Sequence, residues 1–165
     1  MVWKNGLLIK LKHLNISGNM SNFINNFLSD RTIQVRVGDA LSSIDSLENG
    51  TAQRSIISPL LFLIMINDLP DVLVNIESSL FGDDNAVFKS GTNLKCITEQ
   101  VQNNLNELEE WCDKWGFNVS MDKTLAVLFT RRIANNKVIL KFNGKAINTA
   151  NNAKFLGIIF DSKLT

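Results

Sequence analysis

The chain has 165 residues, of which 45% are hydrophobic and 20% are charged, and its formal net charge is +1. This length and composition indicate one globular domain over residues 1–165 and exclude wholesale disorder. The net charge neither supports nor excludes a nucleic-acid partner, and the candidates for a local basic patch are Lys114, Lys123, Arg131 and Arg132.

The first third of the chain predicts two short helices and a hairpin. Apolar residues recur at helical spacing over residues 7–14 and again over residues 23–28. Residues 32–37 then alternate with β-branched side chains, and residues 40–47 are predicted to return as their partner strand across a turn at Gly38-Asp39.

An apolar segment over residues 60–66 predicts a buried helix that ends near Pro70. Ser58 is placed to cap this helix, and Pro59 is expected at its first position, where the missing N–H costs nothing. The segment has about a third of the roughly 20 apolar residues that span a bilayer, so we expect no transmembrane helix and no membrane partner.

The longest predicted helix starts after Thr92 and stops at Gly116. Its apolar positions follow steps of three and four, which places them on one stripe. They are Leu94, Ile97, Val101, Leu105, Leu108, Cys112 and Trp115. Trp111 and Trp115 are interpreted as packing residues of this helix rather than as base-stacking platforms.

Three strands are predicted after the long helix, over residues 125–129, 138–142 and 155–160, with a turn at Asn143-Gly144. Together with the preceding elements, these strands predict an α+β fold in which helices cover one face of a largely antiparallel sheet.

The cysteines and the histidine indicate no zinc site. Cys96 and Cys112 lack ligand-like spacing, and His13 is the only histidine. The start of the chain also lacks the features of a signal peptide. We therefore expect a reduced intracellular protein, with nuclear and cytoplasmic locations both open.

The tetrapeptide Phe81-Gly82-Asp83-Asp84 carries the strongest chemical signal, because it lies between two apolar, strand-like runs. Successive residues of a flat strand point to opposite faces, so the two carboxylates converge only if the chain turns there, and Gly82 permits such a turn. Paired carboxylates suit the divalent ions that nucleotidyl transfer requires. Taken alone, the same residues also fit an ordinary polar hairpin turn.

Further segments in a fixed order accompany this tetrapeptide, and with them the chain resembles the reverse-transcriptase domain of non-LTR retrotransposons, most closely the jockey-like elements. The resemblance covers nearly the whole chain. The matching segments are residues 2–11, 16–18, 27–31, 50–62, 66–70, 81–84, 118–124 and 154–157.

The ordered set of segments is far more specific than any one of them, and two of them match the family's motifs at named positions. Residues 50–62 correspond to the motif that the family writes Gly-Val-Pro-Gln-Gly-Ser-x-Leu-Ser-Pro, with Gln53 and Ser58 at matching positions. Residues 118–124 match at Asn118, Lys123 and Thr124. Without the resemblance, Gln53 reads as a loop residue and Lys123 as a solvated surface lysine.

The resemblance implies a polymerase palm with fingers and thumb largely missing. It implies RNA-directed DNA synthesis from an RNA template, a DNA primer and dNTPs, with Mg²⁺ or Mn²⁺ as the cofactor. The oligomeric state stays open.

The resemblance also assigns roles to individual residues. It implies that Asp83 and Asp84 coordinate metal and that Lys123 assists the leaving group. It further implies that Phe81 and Gly82 flank the primer end. The residues that it implies beside the template and incoming nucleotide are Gln53, Ser58 and Asn118.

The chain departs from the family pattern at three places. The family's first catalytic aspartate lies a few residues upstream of the position matched by Met1, and Ala52 and Arg54 stand where the family has proline and glycine. We therefore expect the isolated chain to be inactive in polymerisation. The alternatives are a remnant that binds nucleic acid through phosphates and a remnant that self-associates through an exposed apolar face.

Overall fold

The structure is a computed structural model that describes residues 2–130 and 138–163, so Arg131 and Arg132 lie outside the described residues. Helices and short strand pairs share this part of the chain, which confirms the α+β class. Backbone contacts divide the chain into two units. The first is Met1–Asn67 with Trp115–Phe117, and the second is Asp68–Lys114 with Asn118–Thr165.

Three helices build the core of the first unit: α1 (Lys4–His13), α2 (Asn19–Leu28) and α3 (Ser58–Ile66). Helix α1 packs against both α2 and α3. The predicted apolar stripe is confirmed at Leu7 and Leu11, which are completely buried, whereas Leu14 at its end keeps 47% of its accessible surface. Lys10 is also buried, and its Nζ donates to the carbonyl oxygen of Met65 at 2.5 Å.

The predicted hairpin of the first unit is confirmed as two consecutive strand pairs. The strands are β1 (Arg31–Ile33), β2 (Arg36–Val37), β3 (Ala40–Leu41) and β4 (Asp45–Leu47). Val37 lies opposite Ala40 across the Gly38-Asp39 turn, and β1 pairs antiparallel with β4 farther from that turn.

The start of α3 differs from the prediction by one residue, and the expected capping role of Ser58 is wrong. Ile57 is the N-cap, Ser58 is the first helical residue, and Pro59 therefore occupies the second position. The Ser58 hydroxyl donates instead to the carbonyl oxygen of Ala52 at 2.7 Å. It therefore closes the preceding loop rather than satisfying an amide of the helix.

The second unit begins with a short 3₁₀ turn over Pro70–Val72 and the strands β5 (Glu77–Phe81) and β6 (Asp84–Phe88), followed by α4 (Leu94–Trp115), whose last residue is grouped with the first unit. The Asn93 side chain accepts hydrogen bonds from the backbone amides of Lys95 and Cys96, which caps α4. Gly116 ends the helix with φ +70°. The prediction of this helix is confirmed at both ends.

Short strands follow α4 in the second unit: β7 (Leu125–Ala126), β8 (Lys141–Phe142), β9 (Lys145–Ala146), β10 (Asn148–Thr149), β11 (Asn152–Phe155) and β12 (Ile158–Asp161). The Asn143-Gly144 turn between β8 and β9 is confirmed. The single strand predicted over residues 155–160 is wrong, because the chain reverses at Leu156-Gly157 and pairs β11 with β12. Both turn residues have positive φ, which an extended strand does not accommodate.

The strands do not form the single sheet expected from the sequence. Among the described residues they form separate two-stranded ladders, all antiparallel except for the parallel pair of β7 with β10. Side chains of α4 hold one of these ladders. Gln102 accepts from the Lys141 amide at 2.8 Å and donates to the Lys141 carbonyl at 3.0 Å, while Glu109 accepts from the Asn143 amide. Within the described ranges, no helix has both the length and the apolarity to cross a membrane.

Candidate functional site

The paired aspartates lie at the tip of the β5–β6 hairpin. The two strands pair over five positions, and Phe81 lies opposite Asp84 at the end of the ladder. Gly82 and Asp83 form the two-residue connection between them. Gly82 has φ +58°, and a Cβ at this position would meet no atom within 4 Å. A glycine with positive φ at the first of two loop positions is typical of a type II′ hairpin turn, so the predicted turn is confirmed.

Both carboxylates of this turn are exposed to solvent. Asp83 belongs to the connection, whereas Asp84 is the first residue of β6. The ring opposite Asp84 is exposed as well, since Phe81 keeps 67% of its accessible surface. The hairpin tip therefore presents two acids and one aromatic side chain without a covering element in the described part of its unit.

This pair of acids fits a hard divalent cation as a partial ligand set. Mg²⁺ usually takes one or two protein carboxylates and completes its octahedron with water and substrate phosphates. The exposure of Asp83 and Asp84 leaves room for such oxygen ligands. In residues 2–130 and 138–163, no cluster of three or more His, Cys, Asp or Glu side chains is arranged to hold a metal ion. The described site therefore offers two carboxylates and depends on other oxygens for the remaining positions.

Asn118 and Lys123 belong to the same unit as the aspartates and are both exposed. They lie on the segment that leads from α4 to β7. A turn over residues 121–123 is closed by hydrogen bonds from the Lys123 amide and the Thr124 hydroxyl to the carbonyl oxygen of Ser120, at 3.1 and 2.9 Å. The turn fixes the backbone of Lys123, and its side chain projects into solvent.

Gln53 and Ser58 belong to the first unit and differ in exposure. Gln53 is exposed on the loop before α3, whereas Ser58 keeps only 8% of its accessible surface. The Ser58 hydroxyl is already bonded to the Ala52 carbonyl. Ser58 thus contributes to the shape of this loop, whereas the Gln53 side chain is available to a ligand.

Arg54, next to Gln53, has φ +63°. This is the left-handed backbone region that favours glycine, because a Cβ there crowds the following carbonyl oxygen. The family pattern has glycine at this position. This chain has an arginine there, yet its backbone keeps a conformation that favours glycine. The Arg54 side chain is exposed and forms no hydrogen bond or ion pair within the described residues.

Positive charge accumulates after α4, which the total net charge of the chain conceals. In residues 118–130 and 138–163 there are two acids, Asp122 and Asp161. The cations of the same ranges are all lysines and all exposed: Lys123, Lys141, Lys145, Lys154 and Lys163. Sequence reasoning named Lys123 as a candidate for a basic patch but missed the four later lysines, which counting charges segment by segment would have found.

A second feature that sequence reasoning missed is the attachment of residues 49 and 50. Arg31 Nη2 donates to the carbonyl oxygens of Asn49 and Gly50, at 2.9 and 2.7 Å. The Gly50 amide donates to the carbonyl oxygen of Val2 at 2.7 Å. No sequence signal connects an arginine at the start of a strand with carbonyls that lie 18 and 19 residues later.

Comparison with known proteins gives one family and several relatives. Residues 1–160 match the family model described as reverse transcriptase (RNA-dependent DNA polymerase). The RNA-directed DNA polymerases from mobile element jockey of Drosophila melanogaster and Drosophila funebris are 29% and 30% identical over 175 residues. The probable RNA-directed DNA polymerase from transposon BS of Drosophila melanogaster is 28% identical over 172 residues.

These matches cover 99% of this chain but only 18 to 19% of each relative. The chain thus spans about a fifth of the length of the curated relatives that it matches.

Proposed function

The chain belongs to the reverse transcriptase family, as an RNA-directed DNA polymerase domain of non-LTR mobile elements, and from this premise we propose that it forms the part of the palm that carries two of the metal-binding carboxylates. The observation that supports this proposal is the turn at Gly82-Asp83, which places Asp83 and Asp84 together at an exposed hairpin tip.

Asp83 and Asp84 would hold the divalent metal that this family uses. When bound, such an ion supplies charge stabilisation for the in-line displacement at phosphorus. The two side chains contribute oxygen ligands and negative charge, and the exposed Phe81 opposite Asp84 supplies an apolar surface beside them for the end of a primer. The two-residue turn keeps both acids at the hairpin tip, where they are exposed to solvent.

The remaining residues have supporting roles in this proposal. Lys123 places a positive charge where the leaving pyrophosphate accumulates negative charge. Gln53 supplies an amide that donates and accepts hydrogen bonds towards template or incoming nucleotide. Asn118 offers the same chemistry on the segment that carries Lys123, and Ser58 acts through the shape of the loop that carries Gln53.

The test is primer extension on poly(rA)–oligo(dT) with Mg²⁺ or Mn²⁺. The 165-residue chain is compared with a version extended upstream through the further aspartate that the family pattern places there. We expect dTTP incorporation by the extended protein and none by the shorter one. Asp83→Asn together with Asp84→Asn should lower incorporation by the extended protein about 100-fold or more, because metal ligands supply several kcal/mol in the transition state.

Asp71→Asn is the matched control for this experiment, since Asp71 is also an exposed acid of the second unit and lies outside the segments that match the family. It should leave incorporation unchanged. Full activity of the double variant would contradict the assignment of Asp83 and Asp84, and activity of the shorter chain would refute the expectation that it is inactive alone.

A second candidate function is binding of an RNA–DNA duplex without catalysis, which the excess of exposed lysines after α4 favours. Binding through phosphates weakens steeply with salt, because each contact releases counterions. Fluorescence anisotropy of a labelled duplex should therefore give binding constants whose logarithm falls linearly with the logarithm of salt concentration.

Lys141→Gln with Lys145→Gln should reduce the salt slope by about one to two units if both lysines contact phosphates. Lys12→Gln, at an exposed position of α1, serves as the control and should leave the slope unchanged. Binding that is insensitive to salt, or absent at low salt, would contradict this second function.

A further inference from the structure

The loop of residues 51–57, here called the Gln53 loop, is held at both ends. At its start, the Gly50 amide donates to Val2, and the Lys4 amide donates to the Asn49 side chain at 3.2 Å. At its end, the Ser58 hydroxyl donates to Ala52 at 2.7 Å. The exposed side chains of Gln53 and Arg54 project from the segment between these attachments.

Arg31 makes the strongest attachment at the start of this loop. Its Nη2 atom donates to two consecutive carbonyl oxygens, those of Asn49 and Gly50. Hydrogen bonds from a charged donor are shorter and stronger than neutral ones. Arg31 makes no ion pair within the described residues, and its Nε is buried without a hydrogen-bond partner there. The guanidinium therefore binds the backbone immediately before this loop rather than an acid.

The backbone of the Gln53 loop needs such attachments because Arg54 has φ +63°. A non-glycine residue in the left-handed region persists when the surrounding structure holds it in place. Gln53 is the immediate neighbour of Arg54, so any relaxation of this conformation moves the Gln53 side chain as well.

We infer that Arg31 is a positioning residue that fixes the Gln53 loop. Its consequence for polymerisation rests on the function proposed above, in which Gln53 contacts template or incoming nucleotide. Displacement of a contacting group by about 1 Å can cost about 100-fold in rate. Arg31 acts on the reaction only through the loop.

The experiment is hydrogen exchange of the full 165-residue chain, followed at the amides of Gly50 and Ser55. Both amides donate to backbone carbonyls, to Val2 and Ala52 respectively, so both carry measurable protection. Arg31→Met removes the donors and keeps an unbranched side chain. Its exchange at these two amides should rise about tenfold, the effect expected for loss of hydrogen bonds from a charged group.

Two further variants make the result specific. Both bonds leave one nitrogen atom, so the ammonium of Arg31→Lys can replace them, and this variant should exchange within about threefold of the native chain. Arg36→Met is the matched control, because Arg36 lies on the neighbouring strand β2 and donates to its own turn at Gly38. It should leave exchange at Gly50 and Ser55 unchanged.

Native exchange rates in Arg31→Met, or equal increases in Arg31→Met and Arg36→Met, would overturn the inference. If Arg31→Met does not fold, Arg31→Gln takes its place, since its shorter amide does not reach the two carbonyls. Hydrogen exchange does not depend on catalysis, so these outcomes can be interpreted even if the proposed function is wrong.

In an active extended protein, Arg31→Met should raise the KM for dTTP more than it lowers kcat, and Arg31→Lys should restore the KM. An unchanged KM in Arg31→Met would overturn the inferred effect of Arg31 on polymerisation.

Discussion

Phe81 and Asp84 face each other across the end of the β5–β6 ladder, so the aromatic ring and the carboxylate leave the hairpin on the same face. An exposed aromatic side chain next to an exposed acid suits a surface that receives a ligand with both apolar rings and phosphates. The same relationship locates the place where metal binding should be measurable.

Mg²⁺ should stabilise the chain through Asp83 and Asp84. At a concentration several times the dissociation constant, we expect the free energy of unfolding to rise by about 1 kcal/mol, because the folded state binds the ion and the unfolded state does not. Urea unfolding with and without Mg²⁺ measures this difference. Asp83→Asn with Asp84→Asn should abolish it, whereas Asp71→Asn should keep it. Equal stabilisation of the double variant would place the ion elsewhere.

Gly82→Ala should lower the free energy of unfolding by about 1 kcal/mol. No atom lies close enough to contact the new Cβ, so the cost comes from the positive φ alone. Gly82→Asn is the matched variant, since asparagine tolerates this conformation better than alanine, and it should cost less. If alanine and asparagine destabilise the chain equally in urea unfolding, backbone strain is not the cause.

Arg54→Gly should raise the free energy of unfolding by about 0.5–1 kcal/mol. The left-handed conformation at Arg54 costs about 1–2 kcal/mol for a residue with a Cβ, and the greater freedom of glycine in the unfolded chain offsets part of the gain. Gln53→Gly is the control, because Gln53 is not among the residues with positive φ. It should destabilise the chain slightly, and a gain in both variants would contradict the strain at Arg54.

The two cysteines should differ in reactivity and in their effect on pH dependence. Burial, with further contributions from Asp113 and Glu109, raises the pKa of Cys112 from 9.0 to about 11. At pH 8 a thiol reagent should label the exposed Cys96 quickly and Cys112 only slowly. Equal labelling rates in the folded chain would contradict the burial of Cys112.

The raised pKa also sets the sign of a stability change. Below pH 9 both the folded and the unfolded states hold the Cys112 proton, so the full stability is present. As pH rises from 9 to about 11, the unfolded state releases this proton first, and stability should fall by up to about 2–3 kcal/mol. Cys112→Ala should remove this part of the pH dependence, as urea unfolding between pH 8 and 11 would show.

The helices were predictable because their signals are local. The spacing of leucines in α1 and the apolar stripe of α4 are repeated over several turns, and Gly116 marks a stop. The turn at Gly82-Asp83 was predictable for the same reason, since one glycine between apolar runs indicates where a strand reverses. The roles of the carboxylates in metal binding stay predictions.

The strand pairings could not be derived in full, because they depend on contacts between distant residues. Nothing near Leu125 indicates its parallel partner at Asn148. The turn at Leu156-Gly157 was not predicted, because leucine rarely adopts the positive φ that Leu156 has there. The hydroxyl of Ser58 was expected to cap its helix, but it donates to the carbonyl oxygen of Ala52 instead. No pattern in the sequence indicates this partner.

Gln102 also limits how the β8–β9 hairpin can pair with another chain. Its amide satisfies both the donor and the acceptor of Lys141, as the backbone of an adjoining strand would. The backbone amide and carbonyl of Lys141 are therefore not available to a second chain that would add a strand beside β8. A single side chain of α4 thus protects the margin of a short ladder against intermolecular strand addition, the event that begins many forms of aggregation.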